Sequence, residues 1–197
     1  MIRNEVKYIR KKTKEEFKMA LVSATEMLKK AHEGHYAVGA FNINNMEWTK
    51  SILLAAEEAK SPVMLGVSEG AAKYMCGFKN VVAMVKEIHD FLGITVPVAL
   101  HLDHGSYDGA KNAIAAGFTS VMIDGSKYDF EENVALTKQV VDYAHAHGVV
   151  VEAEIGRLAG VEDEVNVADN DALYTNPEQA RDFVAATGVD SLAIAIG

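Results

Sequence analysis

From residue 20 onward, short apolar runs alternate with longer amphipathic stretches. The runs are AVGAFNI (37–43), PVMLGVS (62–68), VPVALHLD (96–103), SVMIDG (120–125), VVVEAEIG (149–156) and SLAIAIG (191–197). Near-continuous apolar character marks strands buried on both faces, which is the signature of a parallel sheet. Between the runs, apolar residues recur at helical spacing. Helices are predicted over Met46–Lys60, Val81–Leu92, Asp108–Ala116, Phe130–His147 and Asn176–Thr187. Gly93, Gly117, Gly148 and Gly188 supply stops, and Asn176-Pro177 reads as a cap followed by a first-turn proline. Successive helix–glycine–strand units imply an α/β fold of βα repeats.

Such repeats either close into a barrel or stay open as a doubly wound sheet. An open dinucleotide-binding sheet needs a glycine-rich turn after its first strand, and NNMEW stands there instead. Polar residues gather at the C-terminal ends of the runs: Asn42, Ser68, Asp103, Asp124 and Glu154. A (β/α)8 TIM barrel carries its site at those ends, and the six strands legible here leave it about two short of closure. Residues 157–175 show no clear periodicity and many acids, so they read as a long loop of the lid or disordered type. The domain organisation expected is a basic N-terminal extension, 1–18, followed by an incomplete barrel, 19–197.

Charge sharpens that division. Residues 1–18 hold seven Lys/Arg and three Asp/Glu, a net of +4, within a chain whose formal charge is −9, so the remainder carries −13. An acidic body argues against a nucleic-acid surface. The extension lacks the apolar stretch of a secretory signal and carries Glu5, Glu15 and Glu16, unlike a transit peptide. It reads as a basic peripheral helix or a leader upstream of a start at Met19. No apolar run is long enough to span a membrane. The single cysteine, Cys76, excludes a disulfide framework and a cysteine-based zinc site, and fits a reducing, cytoplasmic setting.

The densest candidate chemistry is HLDHG, His101 to Gly105, at the end of a buried strand. Two histidines and a carboxylate there are costly unless paired or metal-bound. Imidazole is a good zinc ligand, and a carboxylate that does not bind the metal can take a proton. Strand alternation puts His101 and Asp103 on one face and His104 on the other. For Asp103 and His104 to share a site the chain must bend there, and Gly105 permits that bend. A buried polar network that only holds the strand end is the competing reading. Trp48, Met27 and Met84 are expected in the core, with Cys76 buried and inert. His145 and His147 are expected at a helix end, where the dipole favours them.

AVGAFNINNMEWT, GVSEGAAKYM, VALHLDHG, FTSVMIDGS, VEAEIG and DSLAIAIG, in that order from about Met19 to Gly197, together resemble the class II, zinc-dependent fructose-1,6-bisphosphate aldolases and their tagatose-1,6-bisphosphate cousins. The resemblance implies a sugar-bisphosphate substrate, bound Zn2+ with a second cation position, and a homodimer or larger assembly. It implies Asp103 as the acid/base at the hydroxyl of the cleaved bond and His104 as a zinc ligand. Zinc would stabilise charge on the substrate oxygens as a Lewis acid. Glu154 and Asp124 resemble the family's alternate metal position, while Glu152, on the same face as Glu154, is either functional or paired with a basic residue. Glu162, in AGVED, resembles the loop glutamate that moves protons near the reacting carbon, although Ala159 replaces a family glycine; an ordinary acidic loop is the alternative. Asn42 resembles a substrate contact, and Ser68 either a phosphate contact or a plain strand-to-helix turn.

The family's later zinc histidines and phosphate motifs are expected beyond Gly197, so these 197 residues alone are expected to be inactive. Fructose bisphosphate is favoured modestly over tagatose. A non-catalytic folded fragment is a further alternative, and a metal-hydrolase barrel a weaker one, since AFNINN offers no His-x-His.

Overall fold

The structure, a computed structural model, describes residues 21–157, 160–162, 165–167 and 174–196, with the side chains of 160–162 and 165–167 left aside. The basic extension 1–18 lies outside the described residues. In chain order the elements are α1 (Thr25–Gly34), β1 (Gly39–Asn42), α2 (Met46–Ala59), β2 (Val63–Val67), α3 (Glu69–Tyr74), α4 (Phe78–Leu92), β3 (Val98–Gly105), α5 (Tyr107–Ala116), β4 (Ser120–Ile123), α6 (Phe130–Ala146), β5 (Val150–Ile155), β6 (Gly160–Glu162), β7 (Val165–Val167), α7 (Pro177–Thr187) and β8 (Ser191–Ile194).

All six apolar runs form strands, joined in one sheet of order β1-β2-β3-β4-β5-β8, every neighbouring pair parallel. Sequential order with helical crossovers is the curl of a (β/α)8 barrel, here an open half-barrel with units missing. Side-chain caps start five of the helices: Asn45, Ser68, Ser106, Asp129 and Asn176 each accept a backbone N–H from the first turn. Each such cap contributes about 1 kcal/mol.

The strands carry two apolar faces. The outer one, including Leu65, Leu100, Leu102, Val121, Ile123 and Val151, packs under the helices with the fully buried Phe118 and Phe183. The inner one is shorter. Met64, Ala99 and Val150 pack around Ala24 and Met27, so α1 plugs the N-terminal end of the half-barrel. Val22 ties this plug to the sheet by donating to the Val98 carbonyl at 2.9 Å. Beyond the plug, the inner face turns polar toward the strands' C-terminal ends.

Three expectations need correction. The stretch 157–175 is not wholly loop, because β6 and β7 pair antiparallel, Glu162 opposite Val165; the two short β-branched segments are too brief to give a period. Trp48 is 51% exposed rather than core; Met46 and Leu54 of α2 and Phe41 of β1 are exposed too, and β1 pairs only with β2 among the described residues. A groove of about 430 Å³, lined by Phe41, Ile52, Ala55, Ala59 and Val63 among others, runs along that edge. Cys76 is exposed, at φ 66° in the turn after α3. Met27 is buried and Met84 packs against the core as expected.

At the N-terminal end of the sheet, Glu57 of α2 accepts from the Thr95 and Val96 amides at 2.6 and 3.2 Å and from the Thr95 hydroxyl at 2.8 Å, and pairs with Lys60. The Lys60 pairing, with the Thr95 bonds next, brings its carboxyl from an ordinary 4.5 to about 2. A depressed folded value stabilises above the unfolded pKa and is lost as pH falls through the folded one. Stability of the chain should therefore decline between pH 4.5 and about 2, and Glu57→Gln should lower stability at neutral pH while flattening that part of the decline. Chemical denaturation at a series of acid pH values reads both effects.

Candidate metal centre

Adjacent strand residues normally point to opposite faces, and β3 departs from that rule at one residue. His104 has φ 46°, in the left-handed region, and pairing with β4 shifts register between Leu102 and Gly105. Among the described residues, four non-glycines have positive φ, and His104 is the one within a strand. Such a conformation costs roughly 1–3 kcal/mol and persists where its surroundings over-determine it. The bend is thus in His104 itself rather than in Gly105. Gly105 serves by size: an added Cβ would lie 2.6 Å from the Met122 carbonyl and run into Leu102. Behind it, the Asp124 amide donates to the Gly105 carbonyl at 3.0 Å, fastening the kink to the end of β4.

The kink carries His104 over the ends of β4 and β5. Its Nδ1 lies 3.1 Å from Asp124 Oδ2 and 3.7 Å from Glu154 Oε2. Donor atoms of His104, Asp124 and Glu154 all lie within 4.8 Å of one another, each side chain partly buried. One imidazole and two carboxylates so arranged fit a divalent cation, zinc included, since a catalytic zinc takes three protein ligands and keeps one open position. Asp124 is further held by the Ser126 amide, which donates to its Oδ1 at 3.0 Å.

Electrostatics fit the same grouping. The hydrogen bond to Asp124 raises His104 from 6.5 to about 9 against the effect of burial, helped by the charges of Asp103 and Glu154. Burial works against ionisation of Asp124, but the His104 and Ser126 hydrogen bonds outweigh it and bring that carboxyl to about 2. Without metal, His104 is an imidazolium between carboxylates.

Asp103 remains on the inner face, where Asn42 Nδ2 donates to its Oδ2 at 2.7 Å. Asn42 reaches it from β1 because residue 66 of β2 is glycine: a Cβ there would stand 2.9 Å from Asn42 Oδ1. Deeper lies His101, paired through Nδ1 with Ser120 Oγ at 2.8 Å and 3.7 Å from Glu152 Oε2. Burial lowers His101 to about 4, so it is neutral, and burial followed by the Asp103 charge raises Glu152. The basic partner considered for Glu152 is this uncharged ring, and the pair is not a salt bridge at neutral pH.

Ser68 is the N-cap of α3, accepting from the Ala71 amide at 3.2 Å. Glu162 ends β6, and its side chain is outside the described residues, as is Ala159. His145 lies 2.9 Å from Asp190, and His147 is the C-cap of α6. Sequence reading did not single out Asn133, whose Nδ2 donates to the Glu154 carbonyl at 2.8 Å. An asparagine followed one turn later by a threonine, both at core positions of the helix, was the available signal.

The family model described as fructose-bisphosphate aldolase class-II matches residues 22–197. The chain belongs to the class II fructose-bisphosphate aldolase family. It is 60% identical over 180 residues to the fructose-bisphosphate aldolase of Geobacillus stearothermophilus and 58% identical to a probable fructose-bisphosphate aldolase of Bacillus subtilis. Each alignment takes in 91% of this chain and 62% of the relative, so this class II aldolase chain spans under two thirds of the relatives' length. Among solved structures it resembles the YdjI aldolase of Escherichia coli K12, with TM-score 0.74 and 39% identity, covering 90% of this chain and 62% of that one. It also resembles a putative fructose-1,6-biphosphate aldolase of Coccidioides immitis, with TM-score 0.78 and 34% identity, covering 88% and 60%. No helix among the described residues is long and apolar enough to cross a membrane.

The raised pKa of His104 makes the stability of the fold depend on pH. A folded pKa above the unfolded one stabilises fully below pH 6.5 and is lost as pH rises through about 9. The metal-free chain should lose stability across that window, and the His104 ring should titrate near pH 9 by NMR. Asp124→Asn should bring the midpoint back toward 6.5 and flatten the alkaline loss; a wild-type midpoint already near 6.5 would contradict the pairing.

Proposed function

We propose that this chain supplies the acid/base group and part of the metal centre of a zinc-dependent aldolase that cleaves fructose 1,6-bisphosphate to dihydroxyacetone phosphate and glyceraldehyde 3-phosphate, and runs the reverse condensation. The observation that carries the reading is the kink at His104. It sets a carboxylate that is not part of the donor cluster, Asp103, beside three donor groups at the strands' C-terminal ends.

His104, Asp124 and Glu154 would hold the cation. When bound, it supplies Lewis-acid stabilisation of the negative charge that the ketone oxygen gains as the carbon–carbon bond breaks. Asp103 takes the proton from the C4 hydroxyl in cleavage and returns it in condensation. The Asn42 amide, 2.7 Å from its Oδ2, fixes the carboxylate and leaves the other oxygen for that proton. No lysine Schiff base is needed. Ser68, though capping α3, retains its hydroxyl hydrogen for a phosphate oxygen. Glu162, on the segment that follows the metal-bearing strand, moves the proton at the carbon next to the ketone. A fructose substrate is favoured over tagatose because the relatives at 60% and 58% identity are named as fructose-bisphosphate aldolases.

The test is a chimera in which residues 22–197 replace the matching part of the Geobacillus stearothermophilus relative. It should cleave fructose 1,6-bisphosphate faster than the tagatose isomer, lose activity to a chelator and recover with zinc. Asp103→Asn should lower kcat by about 10²–10⁴, the range of a lost general acid/base. A folded, zinc-loaded chimera that cleaves neither ketose bisphosphate would overturn the proposal.

A further inference from the structure

Asn133 lies in the first turn of α6, on the face buried against the sheet, and is 3% exposed. A buried amide in a helix is unfavourable unless its hydrogen bonds are made. Here both ends are engaged. Nδ2 donates to the Glu154 carbonyl at 2.8 Å, and Oδ1 accepts from the Thr137 hydroxyl at 3.1 Å, one turn further along the same helix. Thr137 is itself fully buried. The amide also lies close against Gly125, oxygen nearest, where an added Cβ would come within 2.6 Å of Asn133 Cγ and closer still to its oxygen.

The two contacts fall on two different strand ends. Gly125 directly follows Asp124 beyond β4, and Glu154 is on β5. One planar side chain, keyed in orientation by Thr137, therefore spans the gap between the backbones that carry two of the three donor carboxylate and imidazole groups. A leucine or alanine could pack here but would withdraw the donor from the Glu154 carbonyl, so the amide is what ties that strand end to α6.

We propose that Asn133 is a positioning residue for the metal centre, fixing the separation of Asp124 and Glu154 so that their oxygens close on one cation together with His104. The inference rests on reading those three residues as the metal centre. Partners of this kind, one step removed from the metal, typically change affinity by about 10–100-fold when lost.

The 197-residue chain can be titrated with Co2+ alone, followed by calorimetry and by the visible absorption of the bound ion. The wild-type chain should bind one equivalent. Asn133→Ala should weaken binding by about 10–100-fold and shift the absorption bands. Thr137→Val, which keeps shape and removes the bond that orients the amide, should give a smaller loss in the same direction and serves if Asn133→Ala does not fold. Glu57→Gln destabilises the opposite end of the sheet and should leave Co2+ affinity and spectrum unchanged. Wild-type binding with unaltered affinity and spectrum in the Asn133 and Thr137 variants would overturn the inference while leaving the metal centre intact. An equal loss in Glu57→Gln would also overturn it, by reducing the effect to general stability. A wild-type chain that binds no Co2+ would instead overturn the metal-centre reading, and this inference with it.

Discussion

The architecture of the site depends on one backbone torsion. A regular strand cannot aim two consecutive side chains into one cavity, and the left-handed φ at His104 is what lets Asp103 and His104 face it together. The cost of that conformation is spread over neighbours that hold it in place: the missing Cβ at Gly105, the Asp124 amide on the Gly105 carbonyl, and the imidazole on Asp124. Once the ring is turned, it hangs over the next two strands. The donor groups it meets there are those at the ends of β4 and β5, Asp124 and Glu154.

Below that level, the half-barrel interior grades from dry to charged. Met27, Met64, Ala99 and Val150 fill its closed end. The next groups, His101 and Ser120, are polar but uncharged, since burial strips the proton from His101. Carboxylates begin beside His101, at Glu152, and gather toward the mouth. Keeping His101 neutral confines the cluster's positive charge to His104, the histidine placed among the carboxylates. The grading follows solvent access, because an ion in the closed end would have neither water nor a full set of partners.

Much of this was legible in the sequence because it follows from period and position. Six apolar runs gave six strands, although β1 is largely exposed and β8 only partly buried, and the polar residues closing five of the runs marked the end where a parallel sheet places its chemistry. Asp124 and Glu154 were assigned to a cation position through resemblance, and folding brings them together with His104. The need for a bend was legible too, but its location was not: a glycine signals freedom in a sequence, whereas a strained histidine leaves no mark. Short elements also escaped. The β6–β7 ladder has three residues a side, too few to show alternation. Trp48 looked like core because helical spacing says which residues share a face, not whether that face is covered. Asn133 was hidden because its meaning depends on a carbonyl 21 residues away, on a strand that the helix pattern does not name.

The protonated imidazole at His104 has a consequence for how the chain comes to be loaded. Two carboxylates facing each other across a few ångströms would repel if nothing stood between them, and a proton on the ring is already there as a resident counter-charge. Arrival of a divalent ion is then an exchange rather than an addition, one positive charge leaving as two enter. The strand ends therefore hold their own counter-charge in the metal-free chain, and taking up an ion means giving up that proton.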